Sequence, residues 1–185
     1  MKNRGNALII SSILYHYNNC HINITFSLAN QNEDKSAKIA EEIHATSSSR
    51  MDVPGSFVLK DLVNETIILD KNSFTSLGDI NVQLLIQNCS GTLVCIKALL
   101  GSVRIENSRN CTVLLGPCCT STYIEDSSAC TVFTTCHQLR IHKCRDFQLY
   151  VMVNSHPIVE DCANMGFAPY CIKYDGFASD LEVFY

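Results

Sequence analysis

Through the middle of the chain, a branched apolar residue is followed by a polar pair and then by a small residue, and this unit recurs. It reads Ile86-Gln87-Asn88-Cys89, Ile105-Glu106-Asn107-Ser108, Ile124-Glu125-Asp126-Ser127, Ile141-His142-Lys143-Cys144 and Val159-Glu160-Asp161-Cys162, with separations of 19, 19, 17 and 18 residues. Eight residues later runs a second apolar column: Val94, Val113, Val132, Leu149 and Phe167. Nineteen residues before Ile86 lies Ile67, inside the strand-like run Thr66 to Leu69.

A strand cannot bury its apolar face alone, but equivalent strands stacked from successive coils bury a continuous core. A coil of 17 to 19 residues holds about three short strands and their corners. Helices do not fit this stretch: Val, Ile, Thr and Cys dominate, alternation is close to period two, and polar corners interrupt every few residues. The expectation is an all-β fold, a right-handed parallel β-helix of about six coils from Val63 to Tyr170. Residues 1–55 read as a lead and linker, with a short helix over Gln31–Ile43 and a Ser-rich linker from Thr46 to Pro54-Gly55. Residues 56–170 read as the β-helix domain. The tail, 171–185, has no strong pattern and is expected either to cap the last coil or to be disordered.

Parity assigns the outward positions. If Ile124 and Ile141 point inward, their immediate neighbours point out. Two side-chain ladders then share one exposed face: Arg104, Tyr123, Arg140 and Ile158 in one, Glu106, Glu125, His142 and Glu160 in the other. Adjacent coils lie about 4.8 Å apart, so neighbours within a ladder touch. Taken alone, such a strip is a solvated face whose ion pairs contribute little, roughly 0–1 kcal/mol each.

Composition narrows the classes. Hydrophobic residues make up 46% of the 185-residue chain and charged residues 17%, enough for a real core and unlike a disordered protein. A net charge of -4 with scattered Lys and Arg shows no basic stripe, so nucleic acid is not an expected partner. The cysteine count, 11, is odd, which rules out complete pairing within one chain, and no CxxC occurs. Cys89, Cys111, Cys130, Cys144 and Cys162 recur at the ends of similar segments and read as stacked core thiols in a reducing compartment. Lys2 and Arg4 before the apolar run Ala7–Tyr15 resemble a signal peptide only weakly, and the run is too short to span a bilayer. Asn-x-Ser/Thr triplets at Asn23, Asn64, Asn88 and Asn110 are expected by chance in an Asn-rich chain.

Three stretches together carry a family pattern: LLGPCCTSTYIEDSSAC (Leu114 to Cys130), CHQLRIHKCRD (Cys136 to Asp146) and PIVEDCANMGFAPY (Pro157 to Tyr170). Gln-x-Arg, Ile-Val-Glu-Asp and Phe-Ala-Pro-Tyr in this order resemble the C-terminal domain of the tubulin-binding cofactor C family, and more distantly the retinitis pigmentosa 2 protein. The resemblance implies a β-helix that stimulates GTP hydrolysis by a partner. That partner is β-tubulin within αβ-tubulin, in concert with cofactors D and E, or an Arf-like small GTPase. In this family Gln-x-Arg supplies an arginine finger, which maps onto Arg140, while Gln138 and Glu160 fall on the contact surface. The partner-binding surface expected around Arg140 comprises Gln138, Glu160, His137, His142, Glu125 and Tyr123. Parity independently puts Arg140 and Glu160 on the exposed strip, and a guanidinium supplied in trans can be worth about 10³–10⁵ in rate. No cofactor is implied, no transmembrane segment is expected, and the implied location is cytoplasmic with microtubule association. A non-catalytic binding module for tubulin or an Arf-like GTPase is the alternative. The chain departs from the family pattern at His137, where many members carry Gln, in its lead, and in its tail.

Other chemistries fit less well. Cys136, His137, His142 and Cys144 lack the spacing of a structural zinc site, so no metal is expected. Glu106, Glu125 and Glu160 could serve a carbohydrate hydrolase, but Trp, the usual sugar platform, is absent. No GxxxxGK[ST] occurs, so the chain does not bind nucleotide as a P-loop protein and is not itself expected to hydrolyse it.

Overall fold

The computed structural model describes residues 56–77 and 82–184. Ten strands occupy most of this range: β1 (Ser56–Lys60), β2 (Thr66–Asp70), β3 (Gln83–Gln87), β4 (Leu93–Lys97), β5 (Ser102–Glu106), β6 (Thr112–Glu125), β7 (Thr131–His142), β8 (Arg145–Val153), β9 (Ile158–Glu160) and β10 (Ala163–Pro169). Every pairing between them is parallel. One stack runs β1, β3, β5, the second half of β6, the second half of β7, then β9. The other runs β2, β4, the first half of β6, the first half of β7, then β8 and β10. The expected β-helix is therefore present. Six stacked strands bound about five complete turns rather than the six coils anticipated.

The two apolar columns are the core. Leu59, Ile86, Ile105, Ile124 and Ile141 stack in register and are fully buried, as are Val94, Val113 and Val132. The residue nineteen before Ile86 does not share its column, however. Leu59, 27 positions earlier, sits opposite Ile86, and Ile67 sits opposite Val94. The reason is an insertion: a 3₁₀ segment, Lys71–Leu77, leaves the coil after β2 and breaks the period. Asp70 starts that segment, its carboxylate accepting from the Asn72 and Ser73 N–H groups at 2.9 and 3.2 Å. Phe74 then turns back edge-on against Phe57, 5.1 Å between ring centres, and joins the core. Among the described residues the stack accordingly begins with β1, ahead of the expected Val63.

The polar pair and small residue have a geometric cause. The second member of each pair, Asn88, Asn107, Asp126, Lys143 and Asp161, adopts φ between 48° and 57°. A second corner does the same at Asn64, Gly91, Asn110, Ala129, Asp146 and Asn164. Asn, Asp and Gly are the residues that tolerate this left-handed region. The small residue that follows satisfies the corner carbonyl two positions back. The Cys89 thiol donates to Gln87 O at 3.4 Å, the Ser108 hydroxyl to Glu106 O at 2.9 Å, the Ser127 hydroxyl to Glu125 O at 2.8 Å, and the Cys144 thiol to His142 O at 3.3 Å. Cys and Ser thus alternate at one corner because either can donate inside a tight turn. Burial pushes these thiols up, Cys89 above its ordinary value and Cys144 to about 11, which keeps them protonated donors. Among the described residues all cysteines are free.

The tail neither caps the last coil nor lacks structure. Cys171 and Ile172 pack on the outer face of the second stack, against Cys95, Leu114 and Phe133. Tyr170 donates to Leu115 O at 2.7 Å. Helix α1 (Phe177–Phe184) follows, with Phe177 stacked on Tyr170 and edge-on to Tyr174. The Tyr174 hydroxyl reaches Asp180 at 2.6 Å and lies over Gly116, where a Cβ would collide with it and with the Ala98 carbonyl.

Candidate functional site

Strands β5, β6, β7 and β9 place the predicted strip in the expected register. Arg104 pairs with Tyr123, Tyr123 with Arg140, and Arg140 with Ile158. Beside them Glu106 pairs with Glu125, Glu125 with His142, and His142 with Glu160. The flanking inward residues, Ile124, Leu139 and Ile141, are fully buried, so this face is held by the core beneath it.

Arg140 is about half exposed, and its Nε and Nη2 both donate to Oε2 of Glu160, at 3.1 and 2.8 Å. This carboxylate raises the Arg140 guanidinium further above its ordinary range, first through the hydrogen bonds and then through charge. Glu125 is the hub of the strip's other half. Its carboxylate takes the Nδ1 of His142 at 3.1 Å and the Nη2 of Arg104 at 3.3 Å. The hydrogen bond with His142, then that with Tyr123 and the charge of Arg104, hold its carboxyl below the usual range against partial burial. Arg104 also pairs with Glu106, and its guanidinium lies 4.7 Å from the centre of the Tyr123 ring. Tyr123 is pushed up by desolvation first and by Glu125 second.

An open concavity of about 470 Å³ lies between these side chains, lined among others by Arg104, Tyr123, Glu125, Gln138, Arg140 and His142. The structure thus brings together Tyr123, Glu125, Gln138, Arg140 and His142, with Glu160 at the side. His137 stands apart, at a corner: its Nδ1 lies 2.9 Å from Asn154 Nδ2, and its carbonyl accepts from Ser155. Two participants were not nominated from sequence. Arg104 was visible on the ladder, but nothing in the motifs singled it out. Asp161, 3.6 Å from His142 Nε2, sits at a corner that parity does not orient. Among the described residues no group of three His, Cys, Asp or Glu side chains could hold a metal ion, and no helix there is long and apolar enough to cross a membrane.

Residues 81–184, which include all of the strip, match the family model described as Tubulin binding cofactor C. The chain belongs to the tubulin binding cofactor C family. Its similarity to bovine tubulin-specific chaperone C is 40% identity over 81 residues, covering 44% of this chain and 24% of that protein. With Arabidopsis thaliana tubulin-folding cofactor C the identity is 37% over 91 residues, 48% of this chain and 26% of the other. Mouse TBCC domain-containing protein 1 is 28% identical over a longer stretch of 141 residues, 76% of this chain and 24% of that protein. The chain thus spans about a quarter of the length of these curated relatives. The range matched to the cofactor C model runs from β3 to α1 and leaves out β1 and β2.

Chemically the strip offers a planar cation with no route to neutrality, held by one carboxylate at the edge of an open concavity. Such a group can stabilise negative charge on another molecule.

Proposed function

We propose that this chain acts in tubulin folding as a GTPase-activating protein, presenting Arg140 to GTP bound on β-tubulin, with cofactors D and E as co-workers on αβ-tubulin. The observation that carries the reading is Arg140 itself, half exposed on a strand whose neighbouring side chains are fully buried. Phosphoryl transfer develops charge on the γ-phosphate and the bridging oxygen, and an arginine finger neutralises it. A rigid base matters because misplacing the cation by about 1 Å costs about 10²-fold. Gln138, two residues earlier on the same exposed face, and Glu160 complete the contact surface, with Tyr123, Glu125 and His142 behind them.

The test is single-turnover GTP hydrolysis on αβ-tubulin with cofactors D and E. Wild-type chain should accelerate hydrolysis, and Arg140→Ala should return it to the unstimulated rate, a loss on the order of 10³-fold, while affinity for tubulin changes little. Equal rates with both proteins would overturn the finger.

A second reading has one observation in its favour. Two of the three guanidinium nitrogens of Arg140, Nε and Nη2, are already engaged by Glu160, the arrangement of a docking surface rather than a free finger. Under it the chain binds tubulin or an Arf-like small GTPase without accelerating hydrolysis, and the same assay separates the two.

A further inference from the structure

The two ends of the solenoid are finished differently. At the first turn Phe57, Leu59, Ile67 and Leu69 are buried, with Phe74 edge-on against Phe57. At the last turn the equivalent inward positions lie open: Val159 is 43% exposed and Phe167 49%, with Met165 half-buried between them. Ile158, at the rim, is 38% exposed. Strands β9 and β10 each pair on one side only, so their outer backbone groups also face away from the body. The tail does not reach this end: Cys171 and Ile172 lie on the flank, and α1 packs on β6.

We propose that this uncapped end is the apolar half of the surface that docks the GTPase acted on by Arg140; the inference rests on the proposed function and extends it. Continuity argues for it. Ile158 is the rung after Arg140 in the same ladder, about 4.8 Å on, and Val159 adjoins it. A protein brought within hydrogen-bond reach of Arg140 therefore covers Ile158 and the rim of the open end. Charge argues against a second copy as the occupant. Asp161, largely exposed, flanks this end beside the Arg140-paired Glu160, and two such ends face to face would set the Asp161 carboxylates together. Head-to-tail stacking finds no open counterpart, because the apolar positions of the first turn, Phe57, Leu59, Ile67 and Leu69, are buried. The occupant is thus a GTPase surface with an apolar patch beside basic side chains, and Phe167 is the aromatic anchor of the kind that dominates binding energy.

The experiment measures affinity for αβ-tubulin by fluorescence anisotropy, with hydrolysis followed in parallel. The proteins are the full chain, Arg140→Ala, Ile158→Glu, and Ile158→Glu with Phe167→Glu. Melting by circular dichroism identifies folded variants; Ile158→Glu alone, an outward position, serves if the double variant unfolds. The double variant should weaken binding at least about tenfold and Ile158→Glu about threefold or more, while Arg140→Ala binds within about threefold of wild type. A folded variant with wild-type affinity overturns the docking assignment and leaves the finger untouched. Weakened binding in a system where wild type does not speed hydrolysis supports the docking assignment and removes the finger. Wild type that does not bind tubulin overturns both. Self-association of the free chain, abolished by Ile158→Glu, overturns the inference in favour of a second copy.

Discussion

Arg140 and Glu160 sit in successive turns of the solenoid, and a single carboxylate oxygen, Oε2 of Glu160, accepts from both Nε and Nη2 of the arginine. They are not direct register partners: Arg140 lies opposite Ile158, and Glu160 opposite His142. The ion pair is a diagonal, which lays the guanidinium along the strip rather than straight out into solvent.

That diagonal gives Glu160 a measurable role. Glu160→Gln keeps the shape and removes the charge, so it should lower stimulated GTP hydrolysis by roughly tenfold while barely moving the melting temperature, since the pair is exposed. Arg140→Lys should lose nearly all stimulation, because an ammonium cannot present a planar fork. Single-turnover rates and thermal melts on the same preparations check both. A Lys variant with full stimulation would show that charge alone suffices.

The Glu125 hub predicts a pH dependence. Its carboxyl is held below the usual range, chiefly by the hydrogen bond with His142. A depressed folded-state value means the stabilisation is complete above the unfolded value of about 4.3 and is lost as pH falls through the folded value. Glu125→Gln should therefore melt below wild type at pH 7, and the gap should narrow as pH drops under about 4. A gap that stays constant from pH 7 to pH 3 would show that Glu125 acts through shape alone.

Much of this was readable before any coordinates. The two apolar columns and the outward ladders follow from period-two alternation and a coil length of 17 to 19 residues, so Arg140 and Glu160 could be assigned to one exposed face from parity. What parity could not give were features outside the period. The first turn was missed because the segment at Lys71–Leu77 lengthens its coil. The course of the tail was missed because Cys171 and Ile172 contact residues far earlier in the chain. A trace of it was there: Ile68, Cys95, Leu114, Phe133 and Tyr150 form an outward column that is far too apolar for solvent.

The corner ladder makes a stability prediction. Ser108 is fully buried, donates to Glu106 O, and accepts from the Cys89 N–H at 3.3 Å. Ser108→Ala leaves that N–H without an acceptor and should cost about 1–3 kcal/mol by urea denaturation. Ser108→Cys should cost less, because a thiol fills the same place at Cys89 and Cys144. Equal losses would remove the interchange argument.

Ala129 is the exception in its corner, a residue at φ 53° between Asn110 and Asp146 in neighbouring turns. Left-handed backbone costs Ala about 1 kcal/mol that Asn largely avoids. Ala129→Asn should therefore raise the melting temperature by about 3–5 °C. A decrease would show that the missing side chain, not the backbone, matters at that corner.

Successive residues of the first core column lie 27, 19, 19, 17 and 18 positions apart along the chain, yet they stay opposite one another, the β6–β7 pairing taking up its difference in two register shifts, at Leu114/Pro117 and Cys118/Ser121. Chain length is absorbed at the bends, and the strip never feels it. Evolution can thus rewrite the bends by gain or loss of residues, changing which neighbours they meet, while the spacing between Arg104, Tyr123, Arg140 and Ile158 stays as invariant as the teeth of a rack.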